Sequence, residues 1–595
     1  MTADLAAEAQ REELARLVRD QILDPRLGDL ENDHSAPKKR SMLAIAGSML
    51  AEISLGKLAF AWFVSILLPA ILLGLAPLAL SAWVGEATSR LAEATGVGVS
   101  VLVVLIAGAV AWFGWRPLFR IAETNFWALN ALAVQPGYAL WREALRHLTE
   151  HSLHARSGAA LARMRAWSCA AAGALLFLVA ALIALAIWPS TRWVGTVADL
   201  IDPARLILPT IANAITIMSV YLAVAALVWG FADATADQPL DLAAFGAPAP
   251  DERVWRVVHL SDIHCVGERY GFRIESGRAG PRGNEDFKRV MDRIAKIHEK
   301  APLDLILITG DMTDAGISAE WAEFFDIVAA YPDLTERMLI LPGNHDVNIV
   351  DRANPARLDL PFSPSKTLRK MRTLSGLAAV QGERVLTPEG DGPPGPTLSA
   401  ALAPRRAQIV AFADAGGLNA SGKLGELWEE IFPMILPPDE ADGLGVAVLD
   451  TNADTNFSFT NALGMISLGE ANRLKAAFDR WPKARWLVAM HHHPVEYPRP
   501  VADFSERVGT ALVNGSWFLR VLKPYAPRLV IMHGHRHIDW IGACGDLKIV
   551  SAPSPVMGPP EAQKYFYVHM LARGPDGSVS LMKPERVEMD AAGHA

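Results

Sequence analysis

Four long apolar runs dominate the first 231 residues: about Leu58–Trp83, Val97–Trp115, Ala166–Trp188 and Ile207–Phe231. None contains Asp, Glu, Lys, Arg or His, and each is long enough to cross a bilayer core as a helix. Trp83, Trp115, Trp167, Trp188 and Trp229 sit near their ends, where interfacial anchors belong. After residue 252 the pattern changes to short apolar runs alternating with amphipathic stretches. Strands are expected at Val254–Leu260, Leu303–Thr309, Met338–Leu341, Gly445–Asp450, Arg485–Met490, Arg528–Met532, Leu547–Ser551 and Tyr565–Leu571. Helices are expected at Asn284–Lys300, Ser318–Ala330, Ser467–Asp479 and Asn514–Leu522. This alternation predicts helices covering a mostly parallel sheet, with ligands gathered at the carboxyl ends of strands.

The pattern divides the chain into a polar segment 1–41, a four-span region 42–231, a Pro- and Ala-rich linker 232–252 and an α/β domain 253–595. Within the first segment Leu14, Leu17, Val18 and Ile22 share one helical face. No apolar core follows Met1, so no cleaved signal peptide is expected. Residues 351–444 interrupt the α/β pattern as an insertion expected to cap or flank the site. Its basic helix Ser365–Leu374 reads either as a phosphate or membrane contact or as a solvated face. Gly417–Leu424 imitates a phosphate-binding loop, but Leu424 stands where Ser or Thr is needed and no strand precedes it.

Charge sets the orientation. Lys38, Lys39, Arg40 and Lys57 flank the first span, and the second connection carries Arg116, Arg120, Arg142, Arg146, Arg156, Arg163 and Arg165. The first and third connections hold only Arg90, Arg192 and Arg205. The positive-inside rule places both termini in the cytoplasm, which suits an integral protein of a bacterial inner membrane. Asn213, Thr210 and Thr216 in the fourth span read as helix-to-helix hydrogen bonding rather than a transport path. A net charge of −8 argues against a nucleic-acid-coating protein. The three cysteines, Cys169, Cys265 and Cys544, match no zinc spacing.

The candidate chemistry lies in five ordered blocks at strand ends: Asp262-Ile263-His264, Gly310-Asp311, Gly343-Asn344-His345-Asp346, His491-His492-His493 and Gly534-His535-Arg536-His537. Carboxylate, carboxamide and imidazole together suit divalent metals. Spacing of two in an extended segment puts Asp262 with His264, and His535 with His537, on one side. This order resembles the calcineurin-like metallophosphoesterases, and the GNHD and GHxH forms are most similar to small bacterial class III phosphodiesterases. The resemblance implies two facing β-sheets flanked by helices, a four-layer sandwich, and two divalent ions (Mn, Fe, Zn or Mg). It assigns Asp262, His264, Asp311 and His537 to one ion. Asp311, Asn344, His535 and a strand-end histidine go to the other. Three consecutive histidines leave that last ligand open, and the family habit of placing it two residues before a proline selects His492. His533 is then a supporting residue. His345 is implied as the acid that protonates the leaving oxygen, with Asp346 orienting it. The expected activity is membrane-anchored hydrolysis of phosphate esters, diesters foremost, with a nucleotide or lipid-linked substrate and the lipid bilayer as a partner. The alternatives are a non-catalytic phospho-ligand sensor or scaffold and the regulator of a four-helix transport unit.

Overall fold

A computed structural model of the chain describes residues 12–14, 16–17, 21–23, 59, 63, 67–90, 93, 106, 134–153, 158–202, 204–247, 252–268, 271–273, 282–351, 357, 359, 363–390, 392–455, 458–498, 512–558 and 563–589. The chain forms two units. One comprises 1–54, 237–498 and 505–595, and the other 55–236 with 499–504.

The helical unit contains α1 (Leu68–Arg90), α2 (Gln135–Leu153), α3 (Gly158–Ile187) and α4 (Ala204–Ala234). Among the described residues three helices, Leu68–Arg90, Ala160–Ser190 and Ala204–Ala234, are long and apolar enough to cross a membrane. The expected second span, Val97–Trp115, lies outside the described residues apart from Ile106. Small residues let α3 and α4 touch. A Cβ on Gly173 would stand 2.6 Å from the Ala226 carbonyl oxygen, so the two backbones meet directly there. Asn213 is buried and donates to the Gly74 carbonyl at 3.2 Å, which joins α4 to α1. Arginines that set the charge bias are held in ion pairs. Arg142 meets Asp233 at 2.8 Å, Arg146 meets Glu143 at 2.8 Å and Arg165 meets Glu150 at 2.9 Å.

Among the described residues the larger unit carries fifteen short strands in two sheets. They are β1 (Pro239–Asp241), β2 (Val254–Leu260), β3 (Leu305–Ile308), β4 (Met338–Ile340), β5 (Leu386–Pro388), β6 (Pro394–Thr397), β7 (Met434–Leu436), β8 (Leu444–Val448), β9 (Arg485–Ala489), β10 (Leu529–His533), β11 (Trp540–Cys544), β12 (Leu547–Ser551), β13 (Tyr565–Arg573), β14 (Val579–Leu581) and β15 (Glu585–Glu588). One sheet runs β14-β13-β2-β3-β4, with β15 on β13. The other runs β1-β11-β12-β10-β9-β8-β7-β5-β6. The runs that end in candidate ligands are parallel: β2 with β3 and β3 with β4 in the first sheet, β8 with β9 and β9 with β10 in the second. Leu305–Ile308 and Arg485–Ala489 are buried along their whole length, as doubly covered parallel strands must be. Helices α5 (Glu285–Lys300) and α6 (Ser318–Val328) cover the first sheet through Phe287, Val290, Phe324 and Phe325.

Several details differ from the sequence reading. Within the stretch read as a linker, α4 continues to Ala234, and Pro239–Asp241 pairs with β11 as an edge strand. The insertion builds sheet as well as flank, because β5, β6 and β7 extend the larger sheet. Its basic helix is α7 (Pro364–Gln381), and it is neither solvated nor presented to a surface. Lys366, Arg369 and Arg372 are buried. Lys366 Nζ donates to the Thr455 carbonyl at 2.7 Å, Arg369 pairs with Asp359, and Arg372 donates to the Gly316 carbonyl. Local loop carbonyls and two carboxylates, Asp359 for Arg369 and Asp454 for Lys366, thus satisfy these cations. Residues 418–431 are helical throughout, so the loop-like Gly417–Leu424 motif forms no phosphate loop. The N-terminal segment joins this unit. Leu17 and Ile22 are buried in its core, and Ser375 of α7 accepts from the Ile22 and Leu23 amides at 2.8 and 2.9 Å.

Candidate metal centre

The five blocks occupy the turns that follow β2, β3, β4, β9 and β10, and the two sheets bring these turns together. Their backbone is not extended there. Asp262, His264, Asp311, His535 and His537 all have positive φ, between 49° and 74°. Non-glycine residues rarely adopt this region, and it concentrates at functional sites. Asp262 and His264 therefore converge through a left-handed turn, not through strand alternation. Close packing explains two glycines of the motifs. A Cβ on Gly343 would lie 2.1 Å from Asp311 Oδ1, and one on Gly534 would lie 1.7 Å from Ser261 Oγ.

Among the described residues ligand-type atoms gather in three groups, two of them built from the motif residues alone. In the first, Asp262, His264 and His537 converge, with His537 Nε2 3.3 Å from Asp262 Oδ1. In the second, Asp311, His491 and His535 converge. His491 Nε2 is 3.3 Å from Asp311 Oδ2, 3.0 Å from Asn344 Oδ1 and 3.1 Å from His535 Nδ1. Asp311 Oδ2 also stands 3.7 Å from His264 Nε2, so this carboxylate lies between the groups. Backbone amides brace both acids. The His535 amide donates to Asp262 at 3.0 Å and the His345 amide to Asp311 at 2.8 Å.

The histidine run resolves differently from the spacing rule. His491, not His492, joins Asp311, Asn344 and His535. The chain leaves β9 at Ala489 and turns at once, so the first histidine already points into the site. His492 Nδ1 instead meets Thr451 Oγ1 at 2.8 Å, and its ring packs against His535 with centroids 4.5 Å apart. The second correction concerns Asp346. Its carboxylate accepts from the Thr313 amide and hydroxyl at 2.9 and 2.6 Å and from the Gly343 amide at 2.9 Å. Adjacent residues on a helical turn do not face each other, so Asp346 braces the Asp311 loop and does not orient His345. His345 Nδ1 lies 2.7 Å from the Asp314 carbonyl, which can only accept. That fixes Nδ1 as the protonated nitrogen of the neutral ring.

Asp314 is a residue the motif reading missed. It groups with His264 and His345, and its Oδ1 is 3.3 Å from His264 Nδ1. The available signal was a second acid three residues after Asp311.

Burial and proximity shape the charges. Burial alone would raise Asp262, but His537, His491 and His264 hold it well below the usual carboxylate range. Asp311 is lowered in the same way, chiefly by His491 and His345 acting against its burial. Burial and the Asp311 charge push Asp346 up to about 6. Burial would depress His491, yet Asp311 raises it to about 9. Metal ions fit this arrangement. Both ring nitrogens of His264 and Nε2 of His535 are buried with no hydrogen-bond partner. Leaving such groups unsatisfied is costly, and a cation would use their lone pairs.

Residues 256–450 match the family model for calcineurin-like phosphoesterases. This stretch is a calcineurin-like phosphoesterase domain. The match ends before the histidine run and the GHxH turn, both of which the fold delivers to the same centre. The assignment makes the chain a metal-dependent phosphoester hydrolase. A search of curated proteins finds no match. Solved structures found by shape include a dimetal phosphatase from Danio rerio (11% identity, TM-score 0.33, covering 58% of this chain and 100% of that one). They also include the Haemophilus influenzae NAD nucleotidase (11%, TM-score 0.30, 57% of each chain) and a yellow lupin purple acid phosphatase (10%, TM-score 0.27, 58% of this chain and 54% of that one).

Proposed function

We propose that this is a membrane-anchored phosphohydrolase whose cytoplasm-facing domain cleaves phosphodiesters with two divalent metal ions. The observation that carries the reading is the pair of donor groups meeting at Asp311, with His345 beside them. One ion is assigned to Asp262, His264, Asp311 and His537, the other to Asp311, Asn344, His491 and His535. Mn, Fe, Zn or Mg suits this donor set. When bound, such ions clamp the phosphoryl oxygens and lower the pKa of water. The chain's own residues do the rest. Asp311 holds the two groups at one spacing, because its carboxylate is fixed by the His345 amide. Asp346 keeps the Asp311 and Asn344 turns locked together. His345, held through its Nδ1–H by the Asp314 carbonyl, points Nε2 at the leaving oxygen, to which it gives a proton as the imidazolium after taking that second proton from solvent.

Anchoring rests on the three apolar helices. Orientation rests on the charge bias and on the docked N-terminal segment. Leu17 and Ile22 are buried in the phosphoesterase unit, so the N-terminus and that unit share one side of any membrane. The number of crossings is then even; the uncharged run 97–115 is the expected fourth, and it lies outside the described residues apart from Ile106. A tethered site suits a lipid-linked phosphate or a nucleotide.

The test uses the full chain in detergent. Bis(p-nitrophenyl) phosphate should be hydrolysed faster than p-nitrophenyl phosphate, and a reversed preference would contradict a diesterase. His345→Ala should keep its metal. It should lose roughly 10²–10⁴ in rate on an alkyl ester, the usual worth of general acid help. The loss should be far smaller on a nitrophenyl ester, whose leaving group needs no proton. Equal losses on both esters would remove His345 from the acid role.

A further inference from the structure

Away from the metal centre, a cavity of about 630 Å³ opens between the docked N-terminal segment and the C-terminal end of α7. Arg16, Arg384 and Arg406 line it. Arg16 and Arg406 hold its N-terminal wall in place, Arg16 through Glu13 at 2.9 Å and Arg406 through the Gln21 carbonyl at 2.8 Å. Arg384 differs. It donates to the Met338 carbonyl and, at 3.1 Å, to the Val380 carbonyl at the end of α7, and it forms no ion pair with a carboxylate among the described residues. Glu336 and Glu383 also line the cavity; the Glu336 charge acts on Arg384 without forming an ion pair with it among the described residues. Burial and the nearby Arg16 charge push its guanidinium down to about 10. The same seam buries the Gln21 side-chain nitrogen without a partner. Ile22 and Leu402 give the cavity an apolar wall.

We propose that this cavity is a binding site for a small phosphorylated ligand of nucleotide size, distinct from the metal centre. Guanidinium forks match phosphate oxygens in paired hydrogen bonds, and a guanidinium held by two carbonyls on one nitrogen, with no ion pair, keeps donors for an anion in this pocket. The volume falls within the range of small-molecule pockets, and the apolar wall accepts a ring or short chain. The occupant would tie residues 16–22 to α7. That helix also reaches the catalytic turn, because Thr373 Oγ1 donates to the Asp346 carbonyl at 3.0 Å. Occupancy would therefore be felt at the site.

The experiment uses the full chain, stripped of metal and held in phosphatidylcholine nanodiscs, with AMP and inorganic phosphate as probes in equilibrium dialysis. One saturable AMP site is expected. Arg384→Gln should weaken it at least tenfold, whereas Asp311→Ala should leave it unchanged. Arg16→Gln provides the second variant if Arg384→Gln loses the native unfolding transition, and it should weaken AMP binding in the same direction. Absence of saturable binding at millimolar AMP would overturn the proposal, as would binding that both arginine variants retain. The shared chemistry is a phosphate monoester, so discs containing anionic lipid form a further arm. If that lipid displaces AMP through Arg384, the occupant is a headgroup and the soluble-ligand assignment is wrong.

Discussion

His491 and His492 differ by one position and have opposite surroundings. His491 touches a carboxylate, a carboxamide and a second imidazole, while His492 touches a threonine hydroxyl and a ring face. His491→Ala should therefore lose about one of two metal equivalents, measured by elemental analysis of the purified protein. His492→Phe keeps the packing against His535 and should retain both. The opposite pattern would restore the proline-spacing assignment. Most of the centre was legible in the sequence because each ligand type sits in a short motif after an apolar run. Three features were not legible. The left-handed turns at Asp262 and His264, the choice within the histidine run and the bonding of Asp346 all depend on how loops meet across two sheets, and no local pattern encodes that.

At the scale of elements, the long buried strands and amphipathic helices matched their patterns to within a few residues. The misreadings fell where propensity and burial disagree. The basic face of α7 looks solvated in sequence, but loops of its own unit cover it and their carbonyls replace water. β6 holds two prolines and so escaped notice, although as the edge strand of the larger sheet it tolerates them. On β13, His569 is buried, and its Nδ1 has no partner. Burial pushes it down to about 3. The unfolded chain, with an ordinary histidine near 6.5, takes the proton first as pH falls. The stabilisation is thus complete above about pH 6.5 and shrinks progressively towards pH 3, with about 2 kcal/mol gone by pH 5. Chemical unfolding of the detergent-solubilised chain at pH 7 and pH 5 should show a smaller acid loss in His569→Leu than in the parent. An equal loss in both would mean that other groups carry the acid sensitivity.

Over the whole molecule, the N-terminal segment and the phosphoesterase unit form one folded body although the apolar helices separate them in sequence. Reporter fusions after Asp233 and after Gly195 should accordingly report opposite sides of the membrane, with the first in the cytoplasm. Matching locations would mean that α4 does not cross, and would contradict the four-span reading. If two metal ions joined through Asp311 make the chain a phosphoesterase, activity must follow metal loading. The most direct measurement is a metal titration of the stripped full-length protein in detergent, following bis(p-nitrophenyl) phosphate hydrolysis against bound Mn. Activity should rise until two equivalents are bound and stay near background in Asp311→Ala at every metal concentration. Full activity without added metal, saturation at one equivalent, or an active Asp311→Ala protein would contradict it.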